Sequence, residues 1–411
     1  MNSSFIKNVV ALSSATALAQ ALSLAIMPIL TRVYTPDQFG LMSLFLSVGS
    51  VCVVVFTLRL EQAILLPKLD KNALGLVYLA LLSSAFFTIL FSLLLYLSSV
   101  LGWESGLGGL IYLIPVSAFL FSVYRTVNNY YNRIGVYKKI AENTLLFFIS
   151  QSVLKLLFGL FGGLASGLIL GVFFGRLVAA VRSLHYVFSA RFLYVRDKYF
   201  IARVRYLFKR YRKFSTWLLS ADLVNTLSIQ SAILFIAYFY SNEWLGYFSL
   251  AFSVSSLPLQ FAGAAVGNVF RGEAAKLLKE DGCCDTLFRA LLSKLLLLLS
   301  PFFLIVYFIT PFVFPFIFGK EWSPAGDIVQ ILCVMFLFQF LARVFSYLYV
   351  LRERQIENFL IQLVLMVSIS IVFVVGRYFF NDLESVLIIY SIVYSFIYIY
   401  VIFRSYILYR V

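Results

Sequence analysis

Residues Ala190–Lys213 read ARFLYVRDKYFIARVRYLFKRYRK, and the arrangement of the whole chain follows from this stretch. It holds nine Lys or Arg against one acid, near the midpoint of a 411-residue sequence that is otherwise almost continuously apolar. Lys and Arg beside apolar spans stay on the cytoplasmic side of a membrane, because carrying them across is costly and the anionic inner leaflet attracts them. The stretch therefore fixes an orientation. It reads as a linker, 190–213, between two membrane-embedded halves, 1–189 and 214–411. Aromatic and aliphatic residues between its charges (Phe192, Tyr194, Tyr199, Phe200, Tyr206, Leu207) predict a helix lying in the membrane interface. A lipid-facing connector is the plain reading, and capture of a lipid-linked substrate is the sharper one.

Outward from the linker, composition sets the class. Hydrophobic residues make up 62% of the chain and charged residues only 12%, with a mean hydropathy of +0.95. Soluble domains carry about 25% charged residues, so the chain is read as an all-α polytopic membrane protein with no sizeable soluble domain. The net charge of +15 could suit nucleic acid. Yet the basic residues alternate with apolar spans of about 20 residues, so the expected partner is the lipid bilayer and no nucleic acid.

Hydropathy predicts twelve spans. Six precede the linker: Asn8–Leu30, Phe39–Leu58, Ala73–Leu101, Leu107–Tyr131, Thr144–Phe161 and Ala165–Phe188. Six follow it: Phe214–Tyr240, Leu245–Phe270, Leu287–Phe318, Pro324–Leu351, Phe359–Tyr378 and Leu383–Tyr409. Ala17-Leu18-Ala19 resembles a signal-peptidase site, but apolar sequence runs on past it, so a retained first helix is expected. With both termini inside, the outer loops hold only Arg32, Lys320 and Arg377 of the 33 Lys and Arg. That asymmetry meets the positive-inside rule and predicts a multi-pass membrane protein with both termini cytoplasmic.

The halves also resemble each other. At an offset of 206 residues, RVYTPDQFGLMSLFLSVGS (Arg32–Ser50) lies over AYFYSNEWLGYFSLAFSVSS (Ala237–Ser256), with Tyr34 on Tyr240, Gly40 on Gly246, Ser47 on Ser253 and Ser50 on Ser256. An even number of spans between the copies makes the repeat parallel. It predicts two six-helix bundles related by a pseudo-two-fold along the membrane normal, with a site between them.

Charges inside membrane spans are costly and are therefore functional candidates. Lys155 and Arg176 lie near mid-span, and Lys294 and Arg343 lie deeper than loop residues. Arg32, Arg59 and Arg125 sit nearer span ends, where a snorkelling side chain is the simpler account. Glu61, Glu142 and Asp222 are the carboxylates available for coupling to an ion, and Glu61 is two residues from Arg59, its candidate partner. Candidate lumen residues are thus Arg176, Lys155, Arg343, Lys294, Arg32, Arg59 and Glu61. Surplus positive charge at mid-membrane suits an anionic passenger, especially a phosphate, which Arg can bind bidentately. Pro258, Pro301, Pro311 and Pro315 are expected to interrupt their spans. Amides such as Gln151, Gln230 and Gln339 offer partners for a sugar or for a neighbouring helix.

The cysteines (Cys52, Cys283, Cys284, Cys333) have no metal-ligand spacing, and His185 is the only histidine. No P-loop, no G-x-S-x-G and no metal set appears, so neither an enzyme nor a cofactor is expected.

Four stretches carry a resemblance. Ile29–Gly40 (ILTRVYTPDQFG) followed by Leu58–Pro67 (LRLEQAILLP), then Tyr247–Leu259 (YFSLAFSVSSLPL), then Phe318–Gly326 (FGKEWSPAG), are similar to bacterial O-antigen and polysaccharide flippases of the multidrug, oligosaccharidyl-lipid and polysaccharide exporter superfamily. The resemblance implies two six-helix bundles in a V, opening alternately to each face. It also implies transfer of an undecaprenyl-pyrophosphate-linked sugar repeat unit to the periplasmic leaflet, within lipopolysaccharide biosynthesis, with a polysaccharide polymerase and a chain-length regulator as further partners. Arg32, Tyr34, Pro36, Phe39, Gly40, Arg59 and Glu61 match the family pattern. A multidrug antiporter of the same superfamily is the runner-up, opposed by the absence of Asp or Glu from Asn8–Leu30. A membrane-embedded polymerase or ligase would bring a large outer loop, which this chain lacks.

Overall fold

Apolar side chains make each span soluble in hydrocarbon, and a helix satisfies its backbone polar groups without water, so the spans can only be helices or a closed barrel. The computed structural model describes residues 3–102, 106–162, 166–191, 200–280, 284–352, 354–380 and 382–410, and these residues form helices joined by short turns, with no strand among them. Twelve segments are long and apolar enough to cross a membrane.

The first segment comprises α1 (Ser3–Ala25) and α2 (Met27–Val33), hinged ahead of Pro28. Then follow α3 (Pro36–Phe56), a short α4 (Leu60–Ala63), α5 (Asp70–Val100), α6 (Leu113–Arg133), α7 (Tyr137–Gly162) and α8 (Gly167–Arg191). The linker holds α9 (Phe200–Lys213), and after it come α10 (Leu219–Phe239), α11 (Asn242–Glu280), α12 (Asp285–Phe318), α13 (Ser323–Phe345), α14 (Leu348–Leu351), α15 (Gln355–Phe379) and α16 (Leu383–Arg410). The predicted span Pro324–Leu351 is therefore a helix, a turn and a second short helix. Pro301, Pro311 and Pro315 do not interrupt α12, nor Pro258 α11; each helix runs through them.

Two compact units emerge. The first comprises Met1–Tyr34 with Leu41–Thr226, and the second Thr35–Gly40 with Leu227–Val411. In the first, Ala73, Tyr131, Ile140 and Ala180 form a buried apolar cluster, and the Tyr124 and Phe147 rings stack 4.7 Å apart. In the second, Phe270, Phe288, Phe345 and Tyr349 form the corresponding core, with Phe288 and Phe345 centred 4.3 Å apart. Large apolar residues such as Phe86, Ile89, Phe302 and Phe312 are exposed, as a lipid-facing surface requires.

Phe192, Tyr194 and Tyr199 of the linker lie outside the described residues, as does Cys283. Within α9, Leu207 is buried and seats closely on Gly75 of α5, while Arg205, Tyr206, Phe208, Lys209 and Arg210 are exposed. The backbone departs from the helix at Tyr211 (φ −101°, ψ 16°), and a π-helical turn at Phe214–Leu218 leads into α10.

Candidate functional site

The first unit holds two groups of membrane-embedded charge, and they differ in one respect that matters: one is compensated and the other is not.

The compensated group begins where α3 ends. Leu58 and Arg59 both adopt left-handed backbone angles (φ 49° and 56°), a conformation costing roughly 1–2 kcal/mol for a residue with a β-carbon. The reversal starts α4 and turns Arg59 and Glu61 inward, leaving them 7% and 0% exposed. Arg59 Nη1 donates to Glu61 Oε1 at 3.2 Å, and Arg125 Nη2 of α6 lies 3.6 Å from the same oxygen. Asp222 of α10 comes within 2.7 Å of Arg59 Nε, an ion-pair contact rather than a directed hydrogen bond. Gln62 also reaches Asp222 (3.4 Å), and Asn129 donates to the Glu61 carbonyl (3.2 Å). Two cations thus face two carboxylates. Arg59, expected to snorkel, is instead locked in this network; Arg125 joins it as well.

The uncompensated group is carried by α7 and α8, whose backbones approach closely because glycine recurs every fourth residue at Gly167, Gly171 and Gly175. A β-carbon at Gly171 would lie 2.7 Å from the Lys155 nitrogen, and one at Gly175 would lie 2.8 Å from the Gln151 α-carbon. One residue on, Arg176 projects toward α6. Its Nη1 donates to Ser117 Oγ at 3.0 Å, and its guanidinium lies 4.8 Å from the centre of the Phe121 ring. Gly49 of α3 leaves open space beside the same Nη1, which a β-carbon would approach to 3.7 Å. Arg176 is 7% exposed, its Nε has no hydrogen-bond partner, and no carboxylate pairs with it among the described residues. Lys155 is half-buried on α7 and likewise has no described ion pair; its carbonyl accepts a hydrogen bond from the Tyr34 hydroxyl at 2.6 Å. Lys155 and Arg176 are near enough to repel one another. Burial holds the Tyr34 phenol, between two spans, up at about 12, so it remains the donor of that bond.

The other candidates fall elsewhere. Glu142 sits in a half-exposed pairing with Lys139 (3.3 Å) and Arg182 (3.1 Å), an arrangement of small energetic weight. Arg32 is exposed on α2. Arg343 and Lys294 belong to the second unit. Arg343 is exposed beside Gly263 of α11, its Cδ 3.2 Å from where a β-carbon would stand. Lys294 is exposed on the face of α12 that also presents Leu297, Leu298 and Phe302, so its surroundings are those of a lipid-facing surface and not of a polar lumen. Of the amides, Gln151 packs under Gly175 and Gln339 donates to the Tyr398 hydroxyl (3.1 Å), both joining helices. No group of three or more His, Cys, Asp or Glu able to hold a metal occurs among the described residues.

Sequence reading missed Ser117, because a serine in an apolar span carries no signal of its own. It also missed the glycine repeat of α8, which the spacing G-x-x-x-G-x-x-x-G could have disclosed.

Residues 29–327 match the family described as polysaccharide biosynthesis protein, a span that takes in both charge groups. The chain belongs to that family. This polysaccharide biosynthesis protein is also similar to solved transporters. Against the lipid II flippase MurJ in an inward closed conformation it shows 12% identity, with 96% of this chain and 87% of that one covered and a TM-score of 0.75. Against a MATE transporter in complex with MaL6 the values are 13%, 98% and 97%, and 0.58. Against a MOP superfamily transporter from Pyrococcus furiosus they are 13%, 97% and 94%, and 0.58. At such identities the likeness establishes the fold alone, a twelve-helix architecture. No curated protein matches the chain.

Proposed function

We propose that this polysaccharide biosynthesis protein is a flippase that moves undecaprenyl-pyrophosphate-linked O-antigen or other polysaccharide repeat units from the cytoplasmic to the periplasmic leaflet of the inner membrane, with both termini cytoplasmic and no catalysis of its own. A polymerase and a chain-length regulator would then receive the unit. The observation that carries this reading is Arg176, a buried guanidinium with no counter-charge among the described residues. An isolated cation in low dielectric is costly, and the cost is offset only when an anion arrives. Lys155 adds a second positive charge nearby, and a pyrophosphate or acidic sugar supplies both charge and bidentate acceptors. The family and the twelve-helix fold support transport of a glycan precursor.

A multidrug antiporter is less well supported. Glu61 and Asp222 are already held by Arg59 and Arg125, so neither is an unpaired carboxylate ready for a cationic drug or coupling ion.

The test pairs two measurements on Arg176 variants. Arg176→Ala is expected to abolish surface glycan and to leave lipid-linked units on the cytoplasmic leaflet while membrane abundance holds. Arg176→Lys should keep part of the activity, because charge survives and bidentate geometry does not. Normal surface glycan in Arg176→Ala at normal abundance would overturn the reading.

A further inference from the structure

The second unit carries a long apolar groove for which the charge groups of the first unit give no use. Helices α12 and α16 both pack along α13 but scarcely meet one another, so α13 forms the floor of an open channel between them. One hollow of about 550 Å³ is walled by Tyr307, Val334 and Ile392, and a second of about 380 Å³ by Arg289, Leu296 and Tyr406. Phe338 and Ile399 line both, so the two are continuous.

Length decides what could lie there. Along α16 the lining runs from Ile388 to Tyr406, and along α12 from Phe288 to Tyr307, which at 1.5 Å per residue is about 27–28 Å. That is nearly the whole hydrocarbon thickness of about 30 Å. An acyl chain anchored by a phospholipid headgroup at one face fills only its own leaflet, about half that length. The serines in the wall present no free donor: Ser391 donates to the Ile331 carbonyl (2.9 Å) and Ser395 to the Ser391 carbonyl (2.7 Å). Apart from Gln330 and the mouth at Arg289, the surface offered is mainly aliphatic and aromatic.

One mouth is cationic. Arg289 pairs with Asp285 at 3.1 Å, hydrogen-bonds the Tyr406 hydroxyl across the groove and lies 5.4 Å from the centre of that ring. Its side chain is 57% exposed, so donors of the five-donor guanidinium remain available to a phosphate. We propose that the groove of α12, α13 and α16 holds the polyisoprenoid chain of a lipid-linked substrate, with the lipid phosphate at Arg289. The proposal rests on the flippase reading and adds a tail site to it. Lipid is as apolar as the groove, so attraction there comes from shape and packing and not from expulsion of water. A groove that is filled should therefore lose its ligand.

The test uses the full-length protein in phosphatidylcholine nanodiscs, with radiolabelled undecaprenyl phosphate or phosphatidylglycerol as the probe. A benzophenone side chain at Val334 or Ile392 should capture undecaprenyl phosphate about fivefold more than one at the exposed Phe312, and should show no such excess for phosphatidylglycerol. Ile392→Trp and Val334→Trp should each weaken undecaprenyl phosphate binding about tenfold, whereas Leu304→Trp, on the exposed face of α12, should not. Arg289→Gln should weaken undecaprenyl phosphate but leave neutral undecaprenol unchanged. Equal capture at Phe312, or equal capture of phosphatidylglycerol, sinks the tail site even if a deletion strain lacks surface glycan. Capture confined to the groove in a protein whose deletion leaves surface glycan intact keeps the tail site and removes the flippase reading.

Discussion

Gly40 and Gly246 pack reciprocally: a β-carbon on Gly40 would lie 1.9 Å from the Asn242 carbonyl oxygen, and one on Gly246 would lie 1.8 Å from the Pro36 carbonyl oxygen. Both glycines belong to the second unit, and the 206 residues between them also separate Pro36 from Asn242. Each helix start therefore offers the same glycine to the same position of the other, the exchange of contacts that a local two-fold imposes. Around it, Phe39 meets Trp322 edge-on at 4.9 Å, and Trp322 is fully buried.

Backbone stands where the new methyl group would go, so neither glycine tolerates alanine without a shift of a whole helix. Gly40→Ala and Gly246→Ala should each lower stability by about 1–3 kcal/mol or more, and by similar amounts. Because they strain one shared contact, the double variant should cost less than the two single effects combined. Thermal unfolding of the purified variants measures this, with Gly106→Ala, where no atom lies within 4 Å of the new carbon, as an unaffected control. Additive losses would show that the two contacts are independent.

The Arg59, Glu61, Arg125 and Asp222 network predicts a second result. Glu61→Ala leaves the buried Arg59 and the half-buried Arg125 with one carboxylate between them, and removal of one partner from a buried pair costs about 3–5 kcal/mol. Folded protein should fall sharply in abundance. Arg125→Met added to Glu61→Ala should recover part of it, since charge balance with Asp222 is restored. No recovery would mean that the Glu61 contacts are structural for reasons other than charge.

The packing of α7 on α8 gives a third. Gly171→Leu and Gly175→Leu should both abolish folded protein, because the intruding side chain meets backbone at under 3.0 Å. Gly171→Ala and Gly175→Ala should be damaging to a similar degree, because each new carbon meets a movable Cγ first (Lys155 at 2.6 Å, Gln151 at 2.3 Å) and backbone within 2.9 Å behind it. Size-exclusion profiles of detergent-solubilised protein separate these outcomes.

Orientation supplies a fourth. In a variant freed of Cys52, Cys283, Cys284 and Cys333, single cysteines at Gly106, Ser241 and Lys320 should react with an impermeant thiol reagent added to intact spheroplasts. Cysteines at Arg205 and Lys209 of α9 should react only after lysis. Labelling of Arg205→Cys from outside would invert the proposed topology.

The twelve spans were legible in the sequence because the bilayer tests each segment separately: about 20 apolar residues cross, and Lys or Arg clusters do not. The 206-residue repeat was legible as well, and it aligned Gly40 with Gly246 before any contact between their helices was known. What hydropathy could not reveal is which charges are compensated. Along the chain Arg59 shows one nearby candidate partner, Glu61, and Arg176 shows none, but neither fact tells what a distant helix brings to it. Arg59 pairs with Asp222, 163 residues away, whereas no carboxylate among the described residues pairs with Arg176, which meets the hydroxyl and carbonyl of Ser117 and the face of Phe121. Lys294, seven residues into its predicted span, emerges on an apolar exposed face. Insertion into the membrane depends on sums over one helix, whereas charge compensation depends on where helices cross and on the direction in which each side chain leaves its own; only the tertiary structure sets those.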